Sequence, residues 1–154
     1  MRYLKQYDKY SCGPIAVMNV VKWAGVRTTY KNHFKKFCKR CNCSFKGSYM
    51  TGLRRSLKQY KRLKVKYRND PRLWEVYLHM KSGGIVLFDV SHDSEKYDFE
   101  GHFFLCIGML KKKYVLVNYQ EGCTYSIVSE DHLISEILIV EETRCLFISN
   151  RNAK

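Results

Sequence analysis

The period of the apolar residues changes along this 154-residue chain, and that change restricts the architecture more than any other feature. Ile15, Val17, Met18, Val21 and Trp23 recur at helical spacing, with Ser11 placed as an N-cap, Pro14 in the first turn and Gly25 as the stop, so a helix is predicted from Cys12. Thr28 or Thr29 caps a second helix through Phe37, and Met50, Leu53, Leu57 and Tyr60 define a third between Tyr49 and Tyr60. Leu63, Val65 and Tyr67 alternate with lysines as a strand does, and Leu73 to Met80 reads as a short helix closed by Gly83-Gly84. Beyond that pair the pattern is strands: Ile85 to Val90, Phe103 to Ile107, Tyr114 to Asn118, Tyr125 to Val128 and Cys145 to Ile148. Helices first and strands later, joined by short loops, predict one α+β domain over residues 1–154, its N-terminal helices packed on a C-terminal antiparallel β-sheet.

Charge divides the chain differently. Lys and Arg number 28 against 14 Asp and Glu, a net charge of +14, and between Lys9 and Asn69 there are 17 basic residues and no acid. With 45% hydrophobic residues the chain is not a disordered basic tail. Its longest apolar run, Phe103 to Leu110, is too short to span a bilayer, so no membrane is expected as a partner. The charged first nine residues have no apolar stretch of the kind an export signal carries, so an intracellular location, cytoplasmic or in a virion, is expected. Seven cysteines, an odd number, are then expected as reduced thiols.

Cys12 opens the first helix, where unpaired amides and the helix dipole favour a thiolate. A thiol nucleophile needs a base. His102, at the head of the apolar strand and on the same face as Phe104 and Cys106, suits that role, and Asn118, closing the next strand, is placed to orient the imidazole. The side-chain amide of Gln6 and the backbone N–H of Cys12 would hold a developing oxyanion. Asp8 reads as a turn or capping residue, and Asn19 as a partner for buried backbone.

The pattern Gln6-x-Asp8-x-x-x-Cys12-Gly13-Pro14-x-Ala16-x-x-Asn19 resembles the entry motif of papain-like cysteine peptidases of the bacteriocin-processing, double-glycine-leader branch. The resemblance continues through Gly47-x-x-x-x-Gly52-Leu53-x-x-x-Leu57, Leu73 to Val90, and Gly101-His102-x-x-x-x-x-Gly108 as far as Asn118. It implies a papain-like fold and a thiol peptidase needing no cofactor, with Cys12 as nucleophile, His102 as base, Asn118 as orienting group and Gln6 in the oxyanion hole. Two positions depart from the family: Ser11 precedes the cysteine in place of an acid or amide, and Asn118-Tyr119-Gln120 stands where Asp-Pro is common. A peptide or protein substrate follows from the resemblance, while transfer of the acyl group to another acceptor stays open.

Other groups have plainer readings. His33, Cys38, Cys41 and Cys43 make four candidate zinc ligands within eleven residues, but three share one short loop, and a solvent-facing or packing cluster of thiols is the favoured reading, with no metal assigned. Cys106 and Cys145 read as core, and His79, His92 and His132 as surface or helix-face residues. The basic run from Lys35 to Arg68 suits phosphates, which keeps a non-catalytic module binding nucleic acid or an acidic protein as an alternative function. Its placement in the half that supplies Cys12 suggests one wall beside the cleft.

Overall fold

The computed structural model describes residues 1–90, 101–119, 123–138 and 143–152. Helix α1 (Cys12–Trp23) is buried at every position from Cys12 to Val21, because α2 (Tyr30–Arg40), α3 (Met50–Lys58) and the sheet enclose it. Strand β1 (Leu63–Asn69) and helix α4 (Leu73–Lys81) follow, then β2 (Ile85–Val90), β3 (His102–Leu110), β4 (Lys113–Val117) and β5 (Tyr125–Ser129). A short helix α5 (Glu130–Leu133), a π-helical turn (Ile134–Leu138) and β6 (Arg144–Asn150) complete the order. The six strands form one antiparallel sheet in the order β1-β6-β2-β3-β4-β5. The predicted elements are all present, and α5 with its π-helical turn is an addition.

Both faces of the sheet are covered. Ile85, Leu87, Phe103, Leu105, Leu146 and Ile148 pack toward α1, α2 and α3, while Val86, Phe88, Phe104, Cys106, Cys145 and Phe147 pack toward α4 and α5. This is why β2 and the start of β3 read as continuous apolar runs. The second layer was not anticipated: α4 was expected as a helix without a place on the sheet, and α5 with its turn was not expected, although Leu133, Ile134, Ile137 and Leu138 stand at helical spacing.

Two motif glycines have packing reasons. A Cβ on Gly13 would sit 2.9 Å from Ser48 Cβ, and one on Gly52 would sit 2.5 Å from the carbonyl oxygen of Cys41, so larger residues would force α1, α3 and the α2 terminus apart.

Candidate active site

The N-terminal segment reaches the site because Asn19 holds it. This residue lies fully buried in α1, where its Oδ1 accepts from Leu4 N–H at 2.7 Å and its Nδ2 donates to Leu4 C=O at 2.9 Å. A buried amide in an apolar helix needs such partners, and here they pin residues 3–6 alongside the helix. Gln6 is thereby delivered to Asn118, whose Nδ2 donates to Gln6 Oε1 at 3.0 Å and whose Oδ1 accepts from Gln6 N–H at 3.4 Å.

Asp8 makes the turn into α1. Its Oδ1 accepts from the N–H groups of Tyr10 and Ser11, both at 2.8 Å. Ser11 occupies the N-cap position, yet its hydroxyl makes no capping bond, so the carboxylate three residues earlier organises the entry instead. Gln6 Nε2 donates to the carbonyl of Asp8 at 2.5 Å. The amide expected to face an oxyanion is therefore engaged with the turn in this resting arrangement.

His102 follows Gly101, whose positive φ of 82° starts the strand abruptly. The imidazole lies on the Phe104 side of β3, near parallel to that ring at 6.2 Å, as strand alternation requires. Its Nε2 is 2.6 Å from the main-chain carbonyl of Asn118. A carbonyl only accepts, so Nε2 carries the hydrogen and the lone pair of the neutral ring falls on Nδ1. Burial lowers the His102 pKa, against which the Asn118 carbonyl acts to raise it. Asn118 thus meets the histidine through its backbone, while its side chain serves Gln6. Its φ of 60° turns the chain after β4 so that both are possible.

Cys12 is 6% exposed. Burial pushes its thiol up to about 11, outweighing hydrogen bonds from the N–H groups of Phe103 and Gly13, which lower it; Asp89 and Cys43 raise it further. This corrects the expectation that position at a helix start makes the thiolate favourable at rest. The amide of Phe103 sets the thiol against the peptide that follows His102. Hydrogen bonds thus join Gln6, Asn118 and His102, while the Cys12 thiol bonds the amide of Phe103, the residue after His102.

Asp89 was missed, although an acid inside the apolar stretch Ile85 to Val90 was a signal. It pairs across the sheet with Phe103 on one side and Arg144 on the other, facing α1. Its carboxylate is 3.1 Å from the Arg144 guanidinium, and burial still pushes its pKa up to about 6.

The remaining candidates fall outside these bonded residues. Tyr119 is core, with its hydroxyl 3.1 Å from His132 Nε2. His79 is no simple helix-face residue, since its Nε2 lies 3.1 Å from the carbonyls of both Ile85 and Ile148 and burial lowers its pKa. His92 lies outside the described residues. Cys106 and Cys145 are fully buried in the core, and Cys123 is exposed. His33 Nδ1 is bonded to Thr29, Cys41 is buried, and among the described residues no three His, Cys, Asp or Glu side chains are grouped to hold a metal ion. No helix among them is long and apolar enough to cross a membrane.

No protein-family model and no curated protein matches this sequence. Solved structures do match in fold. The peptidase domain of Streptococcus ComA, a bi-functional ABC transporter involved in quorum sensing, superposes with a TM-score of 0.72 at 12% identity over 96% of each chain. A C39-like peptidase from Bacillus anthracis gives 0.71 at 11% identity, over 97% of this chain and 94% of that one. A double-glycine-motif protease from an AMS/PCAT transporter, solved with its leader peptide, gives 0.67 at 13% identity, over 97% and 91%. The α+β fold of this chain is the papain-like fold of these peptidase domains.

Proposed function

We propose that the chain is a thiol peptidase acting through an acyl-enzyme on Cys12. His102 Nδ1 takes the Sγ proton as sulfur attacks the peptide carbonyl carbon, and the C–N bond breaks as the proton passes to the departing amine. Water then attacks the thioester, with His102 taking its proton, and the C–S bond breaks as that proton passes to the departing Cys12 Sγ, which restores the neutral thiol and imidazole. The Asn118 carbonyl holds Nε2–H throughout, which preserves the tautomer. Gln6 Nε2, on leaving Asp8 C=O, joins the Cys12 N–H at the oxyanion. Because the resting thiol and imidazole are both neutral, proton transfer accompanies attack instead of preceding it as a stable ion pair.

The observation that carries this reading is the hydrogen-bonded series Gln6–Asn118–His102, together with the Cys12 thiol bonded to the amide of Phe103 next to His102, within a fold shared with peptidase domains. A peptide is the substrate class, in keeping with the leader peptide bound by one structural neighbour.

The test is labelling with a peptidyl chloromethyl ketone, read by mass spectrometry of each cysteine. Cys12 is expected to react faster than the exposed Cys123, and His102→Ala to slow it by 100-fold or more, on the order of a general-base contribution. Equal rates at Cys12 and Cys123 overturn the proposal.

A further inference from the structure

The cations between Lys9 and Asn69 are not equivalent. Arg62 donates from Nη1 to the carbonyl of Ala24 at 2.7 Å and so closes the C-terminal end of α1. Arg40 bonds the Tyr60 hydroxyl at 3.1 Å, Arg54 lies 5.9 Å from the centre of the Tyr67 ring, and Arg68 pairs with Glu75 at 3.8 Å. These four serve the fold. Lys58, Lys61 and Lys64 are exposed, and no ion pair among the described residues involves them.

Those three lysines line one groove with Arg151, over a floor that includes Leu63 and Val65. Arg151 arrives from the end of β6, fixed there by its N–H bond to Arg62 C=O at 2.8 Å. The end of α3, the start of β1 and the end of β6 thus bring four positive charges into one concavity with no acid among its lining residues. Like charges gathered in a concave surface focus a positive field, which a ligand carrying regularly repeated negative charge relieves.

We propose that this groove binds the phosphate backbone of a single-stranded nucleic acid. Three of its four cations are lysines, point charges that pair with phosphate without the bidentate fork that recognises carboxylates. Tyr60 is the aromatic residue among its lining, half-buried, parallel to Phe37 and bonded through its hydroxyl to Arg40, so the ring serves the fold and binding is to the backbone, independent of base sequence. The groove is separate from the catalytic cleft. Arg62 caps the C-terminal end of the same twelve-residue helix that Cys12 begins, about 18 Å away along its axis. These three lysines of the basic run therefore lie toward the far end of the helix from Cys12.

The test is fluorescence anisotropy with a dye-labelled oligo-dT 20-mer between 50 and 200 mM KCl. Four phosphate contacts on a single strand predict a slope of log K against log salt of about −3. Lys58→Glu/Lys61→Glu/Lys64→Glu is expected to weaken binding more than tenfold and to flatten that slope. The control Lys111→Glu/Lys112→Glu/Lys113→Glu, with the same charge change in the exposed β3–β4 turn, is expected to stay within threefold of wild type. Absence of binding at 50 mM salt, equal loss in both variants, or displacement of the oligonucleotide by poly-glutamate at equal charge concentration overturns the proposal. An unchanged Cys12 labelling rate in the groove variant shows that it is folded, and keeps this outcome apart from failure of the peptidase reading.

Discussion

Asn118 meets His102 through its main-chain carbonyl, 2.6 Å from Nε2, and uses its side chain to hold Gln6. The tautomer therefore depends on backbone that any residue supplies, and only the Gln6 contact depends on the amide. Asn118→Gly keeps the carbonyl and suits the φ of 60°. It is expected to slow Cys12 labelling no more than Gln6→Ala does, with the double variant no slower than either single one. Additive losses in that cycle would show that the Asn118 side chain acts elsewhere.

Burial holds the Cys12 thiol up to about 11, with Asp89 among the groups that raise it. Carboxamidomethylation of Cys12 should accordingly rise about tenfold per pH unit from neutrality toward 11, because only the thiolate reacts. Asp89→Asn removes a nearby negative charge, lowers the thiol pKa and speeds labelling at pH 8. Below pH 6, where Asp89 takes up its proton, the two proteins should converge. A rate that is already flat at pH 8 in the wild type contradicts this account.

The same carboxyl makes stability depend on pH. Its folded pKa of about 6 lies above its ordinary value of 3.8, so the folded state binds its proton more tightly. The stability this contributes is full below pH 3.8 and is lost as pH rises through 6, by at most about 3 kcal/mol. Thermal unfolding of Asp89→Asn relative to wild type should show the variant gaining between pH 4 and pH 8. The lowered pKa values of His79 and His102 act oppositely, favouring the fold above 6.5 and weakening it on acidification. The comparison with Asp89→Asn cancels them.

Asn19→Ala should cost about 1–3 kcal/mol by leaving Leu4 N–H and C=O without their partner. It should also slow Cys12 labelling, since residues 3–6 carry Gln6 to the site. A stability loss with unchanged labelling would separate Asn19 from the site.

Helix propensity and packing oppose each other at Gly52. Alanine in mid-helix would ordinarily stabilise by about 1 kcal/mol, but here its Cβ meets the Cys41 carbonyl at 2.5 Å. Gly52→Ala is expected to destabilise by about 1–3 kcal/mol in thermal unfolding. At Gly108, beside the β3 bulge, a Cβ meets nothing within 4 Å, and Gly108→Ala should change stability by no more than about 0.5 kcal/mol.

Local signals made the helix from Cys12, the strand led by His102 and the strand running up to Asn118 legible, because period, caps and breakers act over a few residues; the left-handed turn at Asn118 itself was not. Asn19 was readable for the same reason, since a polar side chain among apolar helical neighbours demands a buried partner. Its partner, fifteen residues away, was not readable. Neither was the raised thiol pKa, because desolvation depends on what encloses Cys12, and a helix start in isolation suggests the reverse.

The sequence by itself determined the α+β order, the core strands and the residue types able to carry thiol chemistry. These follow from periodicity and from side-chain chemistry, which each residue bears wherever it lies. Tertiary structure alone decided that Asn118 offers its carbonyl to His102, that Asp89 bears on Cys12, and that Lys58, Lys61, Lys64 and Arg151 share a groove remote from the nucleophile. Each of these depends on distances between residues far apart in the chain, and electrostatic and hydrogen-bond energies are set by those distances and by burial.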